Sequence, residues 1–533
     1  MYRPFTRICL LALLSVASFA QVQIARVRAD LGFLSSDPLQ GRLSLDRSAD
    51  VAAQFIATEF EKAGLKAAAQ GGTSYLQPFT LIAYHPDAQS QSLELERGGT
   101  SKHFRPRTDF SGGFLKSVTV NGSLVFAGYG ITAPEYGYDD YAGLDVKGKV
   151  VLIFDHEPRE TDPASPFNGT GHTVHGARST KLVNAQQHGA VAVLIVSEPL
   201  RKHPGSFDHP PTTASGRSAR ATAPTQALEG WIEIPAFSVS DETAAELLAP
   251  LHKSSAELQR AIDRDLRPIS QLVPDSTVTL HTANTESHSG TSYNVTGLLE
   301  GADPNLKSET IVISAHYDHL GVRDGEVYHG ANDNASGTAA VMELARLFAA
   351  NATRPKRGIL FVVFGSEEEG MLGSHSYCNH PLRDLATTRA DINLDMIARD
   401  EAHIPQSQGV VNIPADTSNE LNLVGTFYSP DLRRTVENAN NNGVGLLLDT
   451  KFDRDHDMNA LFRCDHFPFL VHHVPAVWFF GGWHPGYHEP SDTVEKLNFV
   501  KLEKVILLAE RSAMALANSE QPPSFAAGTG TSN

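Results

Sequence analysis

Side chains that can bind metal ions stand at five places in the second half of the chain. They are His316, Asp333, the pair Glu367 and Glu368, Asp395, and His488. Imidazole nitrogens and carboxylate oxygens are common ligands of Zn²⁺ in hydrolytic sites. Five of these side chains could hold a pair of zinc ions, and the remaining glutamate could act as a base. The set therefore predicts metal-assisted chemistry if the fold brings its members together.

The adjacent acids Glu367 and Glu368 follow an apolar segment, residues 360–364, that predicts a buried strand. Neighbouring carboxylates at the end of a buried strand repel one another, so a cation or solvent must compensate their charge. An exposed acidic helix start is the alternative, because the helix dipole favours acids there. Consecutive acids also suit two tasks, in which one binds a metal ion and its neighbour accepts a proton from water. We favour this second interpretation.

Asp395 stands inside an apolar segment, residues 393–397. Burying a carboxylate without a partner is costly, so the fold must supply one. A metal ion would be a natural partner, and the guanidinium of Arg399 is the ordinary alternative. This residue therefore carries independent physical support for a cation at the predicted site.

The other three candidates each have an ordinary explanation. His316 could be a strand-end histidine paired with Asp318, although a carboxylate at that position could also fix the ring tautomer for zinc binding. Asp333 could cap the helix that follows it, although the small residues in 330–337 would allow a close approach of the backbone. His488 could be a loop histidine. The joint occurrence of suitable side chains at successive strand ends favours a metal site.

The elements that would position these side chains alternate along the chain. Apolar segments that predict buried strands are separated by segments with helical periodicity. The strands are predicted at residues 310–315, 359–364, 391–397 and 476–480, and the helices at residues 46–62, 337–350 and 502–516. This pattern predicts an α/β fold with a mixed, largely parallel sheet sandwiched by helices. Open sheets of this kind place their active sites at the carboxyl ends of strands.

The middle of the chain has shorter strands and longer polar segments. Strands are predicted at residues 123–126, 150–154 and 190–196, a helix at 177–188, a loop at 204–224 and a polar linker at 275–292. This pattern indicates a small β-rich α/β domain with its own core. We therefore predict a signal peptide at residues 1–20, a main domain at 21–118 plus 285–518, an inserted domain and linker at 119–284, and a flexible tail at 519–533.

The amino-terminal segment and the charge balance restrict the compartment and the partners. Arg3 and Arg7 precede a short apolar stretch that ends in small residues at Ala20, which predicts an export signal and a periplasmic or extracellular protein. This stretch is too short to span a membrane and no later segment has about 18 consecutive apolar residues, so no membrane span is expected. Acidic residues outnumber basic ones by 61 to 44, which disfavours nucleic acid as a partner. Cys378 and Cys464 could form one disulfide.

The motifs around the candidate residues occur in a characteristic order. They are His-x-Asp from residue 316, Gly-Ala-x-Asp-Asn-x-Ser-Gly from 330, Glu-Glu-x-Gly-x-x-Gly-Ser from 367, Asn-x-Asp-Met from 393 and Tyr-His-x-Pro-x-Asp-Thr from 487. In this order they resemble the exported co-catalytic di-zinc aminopeptidases, the aminopeptidase S and aminopeptidase Y group. The resemblance covers most of residues 24–118 and 285–518 and implies the zinc exopeptidase fold.

The resemblance implies a ligand set for two Zn²⁺ ions per chain that share one aspartate. The ligands of one ion would be His316, Asp333 and Asp395, and those of the other would be Asp333, Glu368 and His488. The middle segment is similar to the protease-associated (PA) domain that is inserted into such enzymes. Its similarity rests on residues 126–130, 147–151 and 234–236.

The same resemblance implies catalytic roles for three further side chains. Glu367 would be the general base, Asp318 would orient the first zinc-binding histidine, and Tyr487 would help to stabilise the oxyanion. The chain departs from the family pattern at Met371, where leucine is usual, and at Cys464, where serine is common. Neither departure changes the ligand set, but Cys464 raises a question about the nearby substrate wall.

These expectations define a function and its alternatives. The resemblance implies a zinc-dependent aminopeptidase that hydrolyses the amino-terminal bond of peptides with a free amino terminus, through a hydroxide bound by two zinc ions. A related di-zinc carboxypeptidase or dipeptidase, whose pocket recognises a carboxylate, is the alternative. A glutaminyl cyclase with a single zinc ion and a non-catalytic binding protein on the same fold are less favoured, because no ligand is missing.

Overall fold

The computed structural model describes residues 21–201 and 224–526, which form two main β-sheets of ten and eight strands. The predicted signal peptide lies outside the described residues. Most of the predicted loop at 204–224 and residues 527–533 of the predicted tail also lie outside them. Within the described ranges, no helix has both the length and the apolar character needed to cross a membrane.

The larger sheet is mixed, with parallel strands at its centre. Thr310–His316 lies between Gly358–Phe364 and Thr388–Asp395 and is parallel to both. Ala476–Phe480 is parallel to Thr388–Asp395, whereas Asn284–Leu299 pairs antiparallel with Gly358–Phe364. Across the sheet the order is Thr225–Leu228, Leu76–Pro86, Asn284–Leu299, Gly358–Phe364, Thr310–His316, Thr388–Asp395, Ala476–Phe480, Glu420–Val424 and Leu447–Asp449, with Lys66–Ala67 beside Asn284–Leu299. The predicted mixed α/β sheet is confirmed.

Helices cover both faces of the larger sheet. Successive residues of a strand point to opposite faces, and Ile311 and Ile313 pack into one apolar cluster while Val312 packs into another. Every residue of the central strand Thr310–His316 is buried, as expected between two helical layers. The helices of this domain are Ile24–Leu34, Arg47–Lys62, Ser336–Ala350, Leu372–Asn379, Pro430–Asn441, His466–Val471 and Phe499–Asn518.

The helix Arg47–Lys62 shows how local pattern sets an element and its packing. Its buried side chains recur at helical spacing and include Ala49, Ala52, Ala53, Ile56 and Phe60. This face packs against the strand Asn284–Leu299 of the larger sheet. The chain leaves the helix at Gly64, whose φ of +81° is a conformation that glycine adopts without strain. The sequence prediction for this helix differs from the structure by one residue at its start.

The smaller sheet belongs to a second unit with its own apolar core. Its strands follow the order Thr100–Phe104, Ser92–Arg97, Gln271–Thr282, Val118–Phe126, Val150–Phe154, Ala192–Val196, Ala236–Val239 and Phe110–Gly113. Phe126, Leu152 and Leu194 are among the buried side chains of this core. The helices of this unit are Arg178–Gln187, Asp241–Leu248 and Ser255–Asp265. A small β-rich α/β unit was predicted here, and the structure contains one.

The predicted polar linker at residues 275–292 runs from one unit to the other, but it consists of strands. Gln271–Thr282 is a long strand of the smaller sheet, and Asn284–Leu299 is a long strand of the larger one. In the first half of Asn284–Leu299, where it pairs with Leu76–Pro86, the side chains on both faces are largely exposed. A strand without a covered face needs no alternation of apolar residues, so its polar sequence resembles that of a loop.

Sheet membership also bears on the division between the two units. Ser92–Arg97, Thr100–Phe104 and Phe110–Gly113 precede residue 119 but belong to the smaller sheet. Thr225–Leu228 lies within the predicted insertion but pairs in the larger sheet. We therefore propose that the inserted unit begins near the first of these strands and that the chain returns briefly to the main unit at Thr225–Leu228.

The beginning of the predicted flexible tail contacts the main unit. The ring of Phe525 stacks on that of Tyr428, with centroids 5.0 Å apart. The hydroxyl of Ser524 donates a hydrogen bond of 2.6 Å to Asp431, in the first turn of the helix Pro430–Asn441. Residues 524–526 are therefore held against the surface of the larger unit, unlike the prediction for this segment.

Candidate active site

Three neighbouring parallel strands end at one edge of the larger sheet, and predicted ligands stand at this edge. His316 and Asp395 are the last residues of two adjacent strands. The third strand ends at Phe364, and Glu367 and Glu368 follow it closely. Because parallel strands have their carboxyl ends on the same side, residues far apart in sequence meet here. The sheet thus supplies four of the predicted side chains.

Asp333 reaches the same edge from a tight turn ahead of the helix Ser336–Ala350. The carboxylate of Asp492 accepts hydrogen bonds of 2.8 Å and 3.1 Å from the backbone N–H groups of Asn332 and Asp333. These bonds hold the backbone of the turn. Asp492 therefore positions Asp333, a role that the sequence prediction did not assign.

Small residues around Asp333 have a steric reason. A Cβ atom at Gly337 would lie 2.0 Å from the backbone carbonyl oxygen of Leu394, so only glycine allows this approach. The side chain of Asn334 donates to the same carbonyl at 3.0 Å and accepts from the N–H of Gly337 at 2.8 Å. The helix start is therefore packed directly against the strand that carries Asp395.

The first group of donors surrounds the ring of His316. Its Nε2 lies 3.4 Å from Asp333 Oδ1 and 3.4 Å from Asp395 Oδ1. Arg399, the alternative partner of Asp395, instead lies 3.8 Å from Asp492. Within the described residues, His316 Nε2 and Asp395 Oδ1 have no hydrogen-bond partner, although both atoms are buried. Asp395 is thus enclosed beside an imidazole and not neutralised by an arginine.

The second group of donors lies on the other side of Asp333. His488 Nε2 is 3.2 Å from Asp333 Oδ2 and 3.0 Å from Glu368 Oε2. Asp333 therefore turns one carboxylate oxygen toward His316 and the other toward His488. A carboxylate between two donor groups is the arrangement expected of a bridging ligand in a two-metal site. The five residues of the two groups, together with Glu367, are hereafter the strand-edge site: His316, Asp333, Glu367, Glu368, Asp395 and His488.

The two adjacent glutamates differ in their electrostatic surroundings. Burial raises the pKa of Glu367 well above its usual range. Burial acts on Glu368 too, but the nearby imidazole of His488 outweighs it and keeps the pKa of Glu368 below its usual value. The oxygen of Glu367 nearest to His316 is 3.8 Å from Nε2, farther than the oxygens of the first group. Different surroundings of paired carboxyl groups are typical of acid and base roles.

Asp318 supports the site in another way than predicted. The ring nitrogen Nδ1 of His316 lies 3.2 Å from the backbone carbonyl oxygen of Asp318, whereas the nearest carboxylate oxygen is 3.7 Å away. The carboxylate instead accepts hydrogen bonds from the backbone N–H groups of Glu367 (3.0 Å) and Glu368 (3.2 Å). The main chain of Asp318 thus orients the histidine, and its side chain fixes the turn that carries both glutamates.

His319 is a site residue that the sequence prediction missed. It is buried, and its Nδ1 lies 2.6 Å from Glu368 Oε1. With Asp333 and Glu368 it forms a further group of donor atoms that could hold a metal ion. A signal was present, since His319 directly follows the His-x-Asp motif, but the motif assigned the metal role to His316. Sequence alone does not show that the second histidine faces Glu368.

Arg42 is a second residue whose role was not predicted. Its guanidinium is buried and donates to the backbone carbonyls of Tyr317 at 2.7 Å, His329 at 2.8 Å and Gly330 at 3.0 Å. These carbonyls flank the segments that carry His316 and Asp333. No pattern in the sequence around Arg42 predicts this contact, because its acceptors are backbone atoms far along the chain.

The strand-edge site fits divalent cations. Asp333, Glu367, Glu368 and Asp395 bring four carboxyl groups together, and their neighbours within the site are imidazoles. Burying polar atoms without partners is costly, and a metal ion would satisfy both the nitrogen of His316 and the oxygen of Asp395. Imidazole with carboxylate is a donor set that suits Zn²⁺.

Models of two domain families match the two units. Residues 294–511 match the model of peptidase family M28, and residues 120–247 match that of the PA domain. Residues 294–511 therefore form an M28 peptidase domain, and residues 120–247 form a PA domain. The M28 segment contains the whole strand-edge site, and the PA segment contains the central strands of the smaller sheet. The predicted family and its inserted PA domain are confirmed.

Curated proteins that are similar to this chain include some that are named aminopeptidases. Aminopeptidase YwaD of Bacillus subtilis (strain 168) is 28% identical over 241 residues, which cover 44% of this chain and 46% of the relative. Aminopeptidase NAALADL1 of Mus musculus is 26% identical over 318 residues, which cover 52% of this chain and 39% of the relative. The chain thus spans less than half the length of these curated relatives. A solved aminopeptidase from Aneurinibacillus sp. strain AM-1 aligns with 95% of this chain and 96% of its own, at 21% identity and a TM-score of 0.48.

The strand-edge site opens into a cavity of about 580 Å³ that both units line. Glu367, Tyr487 and His488 contribute to its wall, as do Asp155 and His156 of the smaller unit. The ring of Tyr487 stacks on that of His488, with centroids 3.8 Å apart. The oxyanion role of Tyr487 stays a prediction, but the residue stands at the cavity beside a predicted ligand.

The two cysteines of the M28 domain are free thiols, so the possible disulfide between Cys378 and Cys464 does not form. Both are buried. The thiol of Cys464 lies 2.9 Å from Asn393 Oδ1 and 3.3 Å from Asp395 Oδ2. Cys464 therefore supports a predicted ligand, whereas its neighbour Arg463 lines the cavity.

Proposed function

We propose that the chain is a zinc-dependent exopeptidase that removes residues from the amino terminus of peptides, with two Zn²⁺ ions at the strand-edge site. The observation that carries this proposal is the position of Asp333, whose two oxygens lie 3.4 Å from His316 and 3.2 Å from His488. The M28 peptidase domain and the names of the relatives support peptide hydrolysis.

The proposed ligand sets follow the two groups of donors. His316, Asp333 and Asp395 would hold one ion, and Asp333, Glu368 and His488 would hold the other. Bound zinc supplies Lewis acidity, which polarises the scissile carbonyl and lowers the pKa of a water molecule. The backbone of the ligands is held by the hydrogen bonds described above, so the donor atoms keep their orientation during the reaction.

Glu367 is the proposed proton carrier. Its carboxylate belongs to neither donor group and lines the cavity in which a peptide would bind. A base must lie within hydrogen-bond reach of the water it activates, and a side chain at the cavity wall beside the ligands meets this requirement. Glu367 would accept the proton of the attacking water and deliver it to the leaving amine. The hydroxyl of Tyr487 is the proposed donor to the developing oxyanion.

The proposed preference for a free amino terminus rests on charge. The carboxylates of the strand-edge site make a region that attracts the ammonium group of a substrate.

A second candidate function has its own support, because Arg323 and Arg463 line the same cavity. A guanidinium pairs well with a carboxylate, which is the group that a carboxypeptidase or dipeptidase recognises. The direction in which the peptide lies distinguishes the two candidates.

Substrates with a free or an acetylated amino group test which end of the peptide the site recognises. The zinc-loaded protein would be given amino-acyl p-nitroanilides, the same compounds with an acetylated amine, and N-acetylated dipeptides with a free carboxylate. The proposal expects hydrolysis of the first set and little or none of the other two. Hydrolysis of the acetylated dipeptides with no action on the amino-acyl compounds would instead support a carboxypeptidase. Ammonia release from glutaminyl peptides without cleavage would support a glutaminyl cyclase, and no reaction of any substrate would support a binding protein.

Export is proposed from the sequence of residues 1–20. The test is the amino-terminal sequence of the protein recovered from the periplasm or the culture medium of an expressing bacterium. Cleavage after Ala20 predicts Gln21 as the first residue. An intact amino terminus on protein that stays inside the cell would contradict the proposal.

A further inference from the structure

A second group of histidine and carboxylate side chains lies in the PA domain, outside the M28 segment. His156, Glu160 and His172 are buried, and their ligand atoms all lie within 4.8 Å of one another. His156 and Glu160 follow the strand Val150–Phe154, and His172 lies in the loop before the helix Arg178–Gln187. We call these three residues the PA-domain cluster.

The rings of the PA-domain cluster are positioned by their neighbours. His156 Nδ1 lies 3.3 Å from Glu160 Oε2, and the ring centroids of His156 and His172 are 5.4 Å apart. The Nε2 of His172 lies 2.8 Å from the side-chain carbonyl oxygen of Asn459. Because that oxygen can only accept, Nε2 carries the proton and the lone pair of the neutral ring is on Nδ1. A partner that fixes the tautomer in this way typically accompanies a metal-binding histidine.

Among the described residues, Arg201 is a positive side chain that contacts Glu160 and could compete with a metal ion here. Its Nη1 lies 3.5 Å from Glu160 Oε2 and 2.7 Å from Glu198 Oε1, and its Nη2 lies 2.8 Å from Asp263 Oδ2. One guanidinium is thus shared by three carboxylates. Glu157 is a further buried carboxyl group next to the cluster, bonded to Thr173. Buried carboxyl groups therefore lie beside the two imidazoles and could neutralise part of the charge of a divalent cation.

We propose that the PA-domain cluster binds a metal ion of its own, a transition-metal dication such as Zn²⁺. Two imidazoles and one carboxylate form a donor set that Zn²⁺ accepts. Ca²⁺ and Mg²⁺ prefer sites built from oxygen atoms, so two histidines disfavour them. Three protein ligands leave a fourth position for a water molecule or another group. The site is separate from the strand-edge site, which uses none of these residues.

The location of the PA-domain cluster indicates a structural task. His172 bonds Asn459 of the M28 domain, and in the same loop the backbone carbonyl of Thr170 lies 2.9 Å from His456 Nδ1, also of the M28 domain. His156 lines the cavity that the strand-edge site shares. A metal ion that joins His156 to His172 would therefore fix the loop through which the PA domain contacts the M28 domain beside the cavity.

Metal content tests the site independently of activity. Zinc per chain would be measured by plasma mass spectrometry for the full chain and for the variants Glu160→Gln and His172→Gln. His175→Ala is the matched control, since it removes an imidazole from the same loop whose partner is Glu135 at 2.6 Å. The proposal expects each cluster variant to lose about one equivalent of zinc relative to the full chain and the control. Equal zinc in all four proteins would overturn it.

A cobalt spectrum tests the PA-domain cluster separately from the proposed function. Thermal unfolding then shows whether a variant that loses metal is still folded. The variant Asp333→Ala removes the shared ligand of the strand-edge site, and Co²⁺ added to its metal-free form would report the remaining site by visible absorption. The expected band is present in Asp333→Ala and absent from the double variant Asp333→Ala with His172→Gln, while thermal unfolding shows that both are folded. A band of equal strength in the two folded proteins would overturn the proposal, whatever the protein hydrolyses. Absence of a band from folded Asp333→Ala would overturn it as well.

Discussion

The strand-edge site and the PA-domain cluster use the same kinds of side chain on different supports. In the strand-edge site, His316 and Asp395 are the last residues of adjacent buried strands. In the PA-domain cluster, His156 and His172 stand on loops, and one of them is held by a residue of the other domain. Donors on a rigid sheet keep a geometry that catalysis requires, whereas loops that meet between domains are suited to being joined.

The strand-edge site and the PA-domain cluster also differ in whether they contain a side chain in addition to the proposed metal ligands. The strand-edge site has Glu367 in addition to its two donor groups, and this side chain lines the cavity. All three members of the PA-domain cluster are needed as ligands. Hydrolysis requires a proton acceptor beside the metal, so the difference indicates chemistry at the first location and a structural role at the second.

The largest effect is expected from the residue that joins the two donor groups. Asp333→Ala should lower peptidase activity by about 10³-fold or more and release zinc from the strand-edge site, because both ions lose a ligand. The measurements are kcat with an amino-acyl p-nitroanilide and zinc per chain. His329→Ala is the control, since His329 bonds Asp37 and belongs to neither group. Substantial activity in Asp333→Ala would remove the basis for a shared ligand.

The role of the additional glutamate is tested next. Glu367→Gln should lower kcat by about 10²–10⁴-fold, because the amide cannot accept the proton, while zinc content stays unchanged. Glu369→Gln, in the same acidic turn, is the control and should keep its activity. A variant Glu367→Gln that loses zinc along with activity would show that Glu367 is a ligand, and the contrast with the PA-domain cluster would fail.

A smaller effect is expected from the histidine that the sequence prediction missed. His319→Ala should weaken zinc binding at the strand-edge site by about 10–100-fold, because Glu368 loses the partner that orients it. Zinc affinity would be measured by titration with a competing chelator, with activity restored at high zinc. If activity stays low at saturating zinc, His319 has a direct part in the reaction instead of positioning Glu368.

The rigid support of the strand-edge site can be weakened by one methyl group. Gly337→Ala would place a Cβ atom 2.0 Å from the carbonyl oxygen of Leu394, so the free energy of unfolding should fall by about 1–3 kcal/mol. Gly32→Ala is the control, because a Cβ atom at this helical position would have no neighbour within 4 Å. This change should raise stability by about 0.5–1 kcal/mol. Thermal unfolding measures both.

The smallest effect is expected from the substitution of Cys464, whose thiol contacts Asp395. Cys464→Ser replaces a thiol with a hydroxyl that can make the same hydrogen bonds to Asn393 and Asp395, so stability should change by no more than about 0.5–1.5 kcal/mol. Activity should stay close to that of the unchanged protein, because Cys464 lies behind a ligand. A large loss of activity without loss of stability would instead place Cys464 at the substrate.

Parts of the site could be predicted because their causes are local. A carboxylate in an apolar strand, such as Asp395, needs a partner wherever the strand lies, and acids directly after a strand, such as Glu367 and Glu368, stand at its carboxyl end. Parallel strands then bring such ends together. The same local logic predicted the helix Ser336–Ala350 to within one residue. The resemblance of the surrounding motifs to those of a known family added Asp333 and His488 to the predicted ligands.

Other parts could not be predicted, because distant contacts decide them. The long strands that replace the predicted linker pair with strands far away in sequence, and their exposed polar residues gave no apolar pattern. Arg42 donates to carbonyls near residue 330, and no property of residues 40–44 indicates this. The Asp318 carboxylate accepts hydrogen bonds from backbone N–H groups 49 and 50 residues along the chain, in addition to lying 3.7 Å from the His316 ring.

The sequence by itself determined the kinds of ligand, their order along the chain and the strands and helices that carry most of them. These follow from side-chain chemistry and from the periods of apolar residues, which act over a few positions. Tertiary structure decided which oxygen of Asp333 faces His316 and which faces His488, and it brought His172 to Asn459, 287 residues away. Such contacts depend on the register of the sheets and on how the two domains meet, and no local pattern encodes either.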